Sequence, residues 1–195
     1  MIEIGFAPWK FNTRPRGLKQ TEVDIFEEYI LATSTDPLFK SWVKHVLPTL
    51  APGVEGPVMG EFAFQVRLLG GNPPPEDEDV THQSDWEILG SLKADVIQKD
   101  GDNYTIYELK QRLDISTLGQ LLTYKWLFEE VFQYPRGTKL VAVGYSISPG
   151  LVQPLLSNGV QIYSRDNNWS IPNNFSASAI RYDSYKINKI HTTGV

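Results

Sequence analysis

Three charged residues around a short turn have the types and spacing of a hydrolytic metal site. Asp95 precedes the turn signal DGDN at 100–103, and Glu108 and Lys110 follow it. If the flanking β-branched runs pair as an antiparallel hairpin closed by this turn, the register sets Asp95 opposite Glu108. Side chains alternate faces along a strand, so Glu108 and Lys110 are predicted to share one face with Asp95.

Two opposed carboxylates are unfavourable in a purely structural sheet. Opposed Cβ atoms lie about 4.5–5.5 Å apart, and two carboxylates about 5 Å apart repel by roughly 3 kcal/mol at an effective dielectric near 20. A divalent cation between Asp95 and Glu108 would compensate, and Mg²⁺ is commonly held by one or two carboxylates with water and phosphate oxygens. With Lys110 to orient or deprotonate a water, or to steady a phosphate, the three residues predict a site for phosphodiester hydrolysis.

The order of Asp95 and then the tripeptide ELK at 108–110 resembles the PD-(D/E)xK nuclease superfamily. Gln120 and Tyr124 stand four apart on the following predicted helix and therefore share a face, a spacing that resembles the RecB-like and Cas4-like branch. The run YELKQRLDISTLGQLLTYKW is also similar to the nuclease domain of NucS-type (EndoMS) enzymes. The similarity covers about 85–163, and the first half of the chain does not resemble the NucS DNA-binding domain.

The resemblance implies roles for the residues of the hairpin. Asp95 and Glu108 would ligate Mg²⁺ or Mn²⁺, with the backbone carbonyl of Leu109 as a further ligand. Lys110 would be the catalytic lysine. The implied substrate is DNA, whereas mismatch or flap specificity is not carried over.

The resemblance and the helix patterns add residues outside the hairpin. Gln120 and Tyr124 would support the site or contact DNA. Ser116 is predicted to be the N-cap of their helix, and it is also a candidate contact for substrate phosphate. Because superfamily members often add an acidic residue from the helix before the sheet, Glu27 or Glu28 is a candidate further metal ligand, with a solvated helix face as the alternative for each.

Composition indicates a folded cytoplasmic protein. Of the 195 residues, 41% are hydrophobic and 21% charged, and the absence of Cys excludes a disulfide framework or a thiolate metal site. The N-terminus lacks the apolar core of a signal peptide, and no apolar stretch reaches the ~20 residues that span a bilayer. The net charge of −5 is unusual for a DNA-binding protein, but a metal site is itself acidic before the cation binds. Candidate basic patches for DNA binding are Lys10, Arg14, Arg16 and Lys19, and near the C-terminus Arg181, Lys186 and Lys189. The alternative is that both are solvated ends of the chain.

The predicted elements follow an α/β order. Helices are expected at 22–32, where Thr21 and Asp24 form a capping box, at 36–48, from Ser116 to about 134, and at 149–157; strands are expected at 61–69, 85–99, 104–110, 140–145, 160–163 and 181–190. This order predicts a restriction-endonuclease-like α/β sandwich with a central mixed sheet flanked by helices. It would form a single domain with a helical part at 1–50, a catalytic core at 60–164 and a C-terminal extension at 165–195.

The sequence favours one function and keeps others open. The first is a Mg²⁺- or Mn²⁺-dependent nuclease that hydrolyses phosphodiester bonds in DNA. The alternative is a non-catalytic nucleic-acid-binding or assembly protein that retains the nuclease fold, and an RNA-directed nuclease is a third option. No membrane partner is expected, and a homodimer is compatible with the sequence.

Overall fold

The computed structural model describes residues 4–11, 13–34, 37, 39–41, 60–68 and 92–169. In chain order the helices and strands are α1 (Gln20–Thr33), β1 (Glu61–Leu68), β2 (Leu92–Asp100), β3 (Asn103–Leu113), α2 (Ile115–Trp126) with a π-helical continuation (Leu127–Val131), β4 (Lys139–Ile147), α3 (Val152–Ser157) and β5 (Val160–Ser164). Of the predicted helix at 36–48, only Pro37 and residues 39–41 are described, and they are helical. The predicted strand at 181–190 lies outside the described residues.

One mixed sheet carries the strands in sequence order, β1-β2-β3-β4-β5. Strands β1, β2 and β3 pair antiparallel, whereas β3, β4 and β5 pair parallel. The β2–β3 hairpin has the predicted register, because Asp100 pairs with Asn103 and Val96 pairs with Tyr107. The expected α/β sandwich, with a central mixed sheet flanked by helices, is confirmed.

Two apolar cores lie on opposite faces of this sheet. Buried members of the α1-side core include Trp9, Phe26, Phe62, Val96 and Val143. Buried members of the α2-side core include Ile106, Leu121, Tyr124, Phe128 and Leu155. Among the described residues, no helix is long and apolar enough to cross a membrane.

Strand β4 contributes to both cores, because helices cover both of its faces. Leu140 and Ala142 belong to the α2-side core, whereas Val141 and Val143 belong to the α1-side core. All residues from 140 to 144 are buried. The continuous apolar run LVAVG therefore correctly predicts a central parallel strand.

The start of α1 differs from the prediction. The N-cap is Lys19, and its backbone N–H donates to a carboxylate oxygen of Glu22 over 2.8 Å. Leu18, just before the cap, is buried in the α1-side core. The acid three residues past the cap is therefore Glu22, and the predicted capping box with Asp24 is wrong.

The apolar residues of α2 and its π-helical continuation are only partly buried. Leu122, Trp126 and Val131 have exposed fractions of 38%, 59% and 45%. Leu121 and Tyr124 occupy the side of the helix that faces the sheet. Because residues 122 and 126 lie on the other side of the same helix, hydrophobicity alone overestimates how much of α2 is buried.

Candidate active site

Asp95 on β2 is fixed by one hydrogen bond to each carboxylate oxygen. The backbone N–H of Leu109 on β3 donates to Oδ2 over 2.8 Å, and the side-chain amide of Gln65 on β1 donates to Oδ1 over 2.9 Å. Burial raises the pKa of Asp95 to about 6; the Leu109 N–H opposes this rise and the charge of Glu22 adds to it. The carboxylate is therefore oriented by two neighbouring strands and retains further acceptor capacity on both oxygens.

Glu108 on β3 is buried, with only 3% of its surface exposed. Its Oε1 lies 3.6 Å from Nζ of Lys110, whereas Oε2 is buried and accepts no hydrogen bond from the described residues. Burial, and next the charge of Asp95, raise the pKa of Glu108 to about 8. An unsatisfied buried acceptor is costly, so ionised Glu108 is unfavourable here without a further partner.

The ammonium group of Lys110 is held by side chains at the start of α2. It donates to Oε1 of Gln120 over 2.6 Å and to the hydroxyl of Ser116, and it lies 3.5 Å from Oδ1 of Asp114. Gln120 in turn donates to the Tyr124 hydroxyl over 3.1 Å. The structure thus brings the predicted residues of β3 and α2 into one network.

Tyr124 forms the buried end of this network. Its side chain is 2% exposed, and burial, followed by the charge of Glu108, raises its pKa to about 12. The hydroxyl therefore stays protonated at neutral pH and accepts from Gln120 as a neutral group. The predicted sharing of a helix face by Gln120 and Tyr124 is confirmed by this hydrogen bond.

Ser116 is not the N-cap of α2, and this prediction is wrong. The cap is Asp114, whose Oδ1 accepts from the backbone N–H of Ser116 over 3.0 Å. Strand β3 runs to Leu113, so Asp114 is the first residue after it that can cap the helix with a carboxylate. The Ser116 hydroxyl bonds Lys110 instead, and its contact with substrate stays a prediction.

Glu22 is an acid of α1 whose charge acts on the site. It raises the pKa values of both Asp95 and Glu108. Glu28 accepts from the Tyr145 hydroxyl over 3.3 Å and lies 3.8 Å from the Arg165 guanidinium. The ligand role expected of Glu27 or Glu28 stays a prediction.

Sequence reasoning missed Glu22, although its signal is present. Glu22 stands three residues after Lys19, and an acid at this spacing is typical of the first turn of a helix. The two are joined by an ion pair of 3.5 Å as well as by the backbone hydrogen bond. If the helix had been predicted to begin at Gln20 instead of residue 22, Glu22 would have been identified as the acidic residue of its first turn.

Gly144 on β4 allows β3 to approach closely beside Lys110, the candidate catalytic lysine. It pairs with Lys110 in the parallel register. A Cβ atom at this position would lie 2.6 Å from the backbone oxygen of Lys110 and 3.0 Å from Cγ of Leu113. A side chain at position 144 would therefore displace β3 at the point where it presents Lys110.

Replacing Gly144 by alanine is expected to lower the free energy of unfolding by about 1–3 kcal/mol, as for overpacking in a core. Urea unfolding measures this change. Gly119→Ala on α2 is the matched control, because a Cβ there meets no atom within 4 Å, and it should stabilise the helix by about 0.5–1 kcal/mol. A Gly144→Ala protein as stable as the parent would contradict the close approach.

The donors at the site fit a hard divalent cation. Asp95 and Glu108 offer carboxylate oxygens, of which Oε2 of Glu108 has no donor among the described residues. In the described ranges, no three His, Cys, Asp or Glu side chains form a group that could hold a metal ion. An ion would therefore depend on two carboxylates, a carbonyl such as that of Leu109, and water, which is the usual manner of Mg²⁺ binding.

Comparisons with protein-family models and with curated protein sequences find no match. Two solved structures are similar to part of the chain. One is the structure of an EndoMS–dsDNA complex, whose protein chain is 25% identical in sequence. The match covers 36% of this chain and 29% of that one, with a TM-score of 0.32. A repair endonuclease from Pyrococcus abyssi is 23% identical, covers 49% of this chain and 38% of its own, and has a TM-score of 0.34. The chain thus spans less than two fifths of the length of either protein.

Proposed function

We propose that the chain is a Mg²⁺- or Mn²⁺-dependent nuclease of the PD-(D/E)xK type, related to the RecB-like and Cas4-like branch, which hydrolyses phosphodiester bonds in DNA. The observation that carries this proposal is the convergence of Asp95 and Glu108 with the ammonium of Lys110. Burial raises the pKa values of both acids, and the charge of Asp95 raises that of Glu108 further. A sheet gains no stability from this arrangement, so a function in binding a cation accounts for it.

Asp95 and Glu108 would hold the cation, with the Leu109 carbonyl as a further oxygen donor. When bound, the ion supplies Lewis-acid charge at a phosphate oxygen and lowers the pKa of a bound water. The Gln65 amide and the Leu109 N–H keep Asp95 oriented. Glu108 supplies Oε2, which none of the described donors uses.

Lys110 would act directly on the phosphate or on the attacking water. Its ammonium donates to the phosphate oxygen on which negative charge develops, or it holds the water in line. Gln120 and Ser116 fix Nζ in advance, so the group needs little reorganisation during the reaction. Tyr124 sets the orientation of Gln120 through its hydroxyl.

Basic residues beside the site support a polyanionic substrate. Arg14 and Arg16 are exposed in the segment before α1. Gly17, which follows them, packs on the side chain of Gln65: a Cβ atom on Gly17 would lie 2.8 Å from Cγ of Gln65. Because Gln65 bonds Asp95, this basic segment lies next to the proposed ligands. Such local positive charge attracts a phosphate backbone despite the net charge of −5.

A non-catalytic nucleic-acid-binding or assembly protein with this fold is the second candidate. It is favoured by the engagement of Lys110, whose ammonium already has acceptors on Ser116 and Gln120. In that case the polar network would serve to join β3 to α2. RNA is an alternative substrate under either candidate.

Cleavage assays test the proposal and separate the candidates. Linear duplex, circular duplex and single-stranded DNA, and RNA of the same sequence, would each be incubated with Mn²⁺, Mg²⁺ or EDTA. We expect DNA cleavage with either ion and none with EDTA, and cutting of circular DNA would identify an endonuclease. Binding of DNA without cleavage of any substrate would instead support the non-catalytic candidate.

A further inference from the structure

We infer that Gln65 is a positioning residue for the cation site, because it holds the Asp95 carboxylate in the orientation that ligation requires. The inference rests on the proposed function. It goes beyond that function by assigning a role to a residue of β1, which carries none of the proposed ligands. Three features support it: the hydrogen bond from Gln65 to Asp95, the positive φ of Gln65, and a change of strand face at this position.

The backbone of Gln65 is in the left-handed region, with a φ of +47°. This conformation is uncommon for a residue that has a Cβ, and it is found mostly where the surrounding structure imposes it. The flanking residues pair regularly, Phe64 with Val96 and Val66 with Ala94. The unusual residue therefore stands across from Asp95.

Both strands change the face that they present at this position. Phe64 packs on the α1-side core, whereas Val66, two residues later, packs on the α2-side core. On β2, Ala94 belongs to the α2-side core and Val96 to the α1-side core. Residues two apart in a regular strand share one face. Both strands therefore depart from regular geometry where Gln65 and Asp95 face each other.

The side chain of Gln65 is confined between Gly17 and Asp95. A Cβ atom on Gly17 would lie 2.8 Å from Cγ and 3.1 Å from Cβ of Gln65, and Gly17 itself has a φ of +95°. The amide of Gln65 is directed to Oδ1 of Asp95, at 2.9 Å. With the Leu109 N–H on Oδ2, the two donors fix the plane of the carboxylate.

The chemistry of position 65 indicates what the glutamine contributes. Asparagine or glycine would adopt a positive φ more easily, so glutamine is not the residue that stabilises this backbone best. Its advantage is length, because its amide reaches Asp95. Partners that orient a metal ligand in this way typically change metal affinity 10- to 100-fold when they are removed.

Gln65→Asn separates a positioning role from a structural one, since asparagine suits the backbone but is one methylene too short to reach Asp95. We expect the melting temperature to stay the same or rise, while calorimetry shows Mn²⁺ affinity falling about 10-fold. Gln98→Asn on β2 is the matched control. Its side-chain oxygen accepts from the Tyr107 hydroxyl over 2.5 Å, so this variant should melt at a lower temperature and bind Mn²⁺ as the parent does.

The outcomes distinguish the inference from the proposed function. A Gln65→Asn protein that binds Mn²⁺ as tightly as the parent would overturn the positioning role and leave the proposed function standing. A parent protein that binds no Mn²⁺ would overturn the proposed function, and the inference with it. Weaker Mn²⁺ binding by both glutamine variants would show a general effect of strand stability, which also overturns a specific role for Gln65.

Discussion

Glu108→Gln is expected to abolish metal-dependent cleavage, by roughly 10³-fold or more, while making the metal-free protein more stable at pH 8. The loss follows because a carboxamide cannot neutralise a cation as a carboxylate does. The gain follows because the substitution removes a buried charge with an unsatisfied oxygen. If Glu108 served only the stability of the fold, Glu108→Gln would instead make the metal-free protein less stable at pH 8.

The sign of the stability change comes from the pKa of Glu108, which folding raises from 4.5 to about 8. The folded state therefore holds a proton that the unfolded state has released. The stability that this proton confers is complete below about pH 4.5 and is lost as the pH rises through about 8. Asp95 acts in the same direction between 3.8 and about 6. Metal-free protein should thus be less stable at pH 8 than at pH 5.

Thermal unfolding in EDTA at pH 5 and pH 8 measures this effect. For Glu108→Gln we expect a gain at pH 8 on the order of 3 kcal/mol, which corresponds to roughly 6–12 °C in melting temperature for a protein of this size. Little gain is expected at pH 5, where Glu108 is already protonated. Glu61→Gln, at the exposed start of β1, is the control and should change neither activity nor melting. A Glu108→Gln protein that melts lower at pH 8 would contradict the burial of an uncompensated charge.

Lys110→Met is expected to lower the rate of cleavage about 10³-fold while Mn²⁺ binding is kept or strengthened. Methionine fills much of the same space without a charge. The ammonium lies 3.6 Å from Oε1 of Glu108, so it competes with a cation for the same carboxylate. Removing it should therefore help binding of the ion and harm only the reaction.

Single-turnover cleavage and calorimetry on the same preparation test the Lys110 prediction. Lys139→Met, at the exposed start of β4, is the matched control and should keep both properties of the parent. If Lys110→Met lost Mn²⁺ binding and cleavage together, Lys110 would be supporting the fold of the site. If it retained full cleavage, the catalytic assignment of Lys110 would be wrong.

The sequence predicted the hairpin well because its information is local. The DGDN turn and the period of two fix which residues oppose one another, and the observed pairs have that register. The spacing of Gln120 and Tyr124 likewise fixes a shared helix face without knowledge of the rest of the chain. These local rules bring Asp95 and Glu108 to the position next to the pair Val96–Tyr107. They do not give the direction of the Asp95 carboxylate, because β2 changes face between Ala94 and Val96.

The parts that the sequence did not predict depend on how elements pack. Glu22 acts on the site because α1, whose first turn carries it, packs on the sheet. Ser116 bonds Lys110 because Asp114 takes the cap. At Gln65, an alternating strand pattern gives no sign of a positive φ, since that conformation is imposed by neighbouring chain segments.

Calorimetric titration with Mn²⁺ tests the central claim most directly, when the parent is compared with Asp95→Asn in the same buffer. Asparagine keeps the size of the side chain and removes the charge that the ion requires. A single Mn²⁺ site in the parent that is lost in Asp95→Asn is the predicted result. A parent that takes up no Mn²⁺, or a variant that binds it equally well, would contradict a cation site between these two strands.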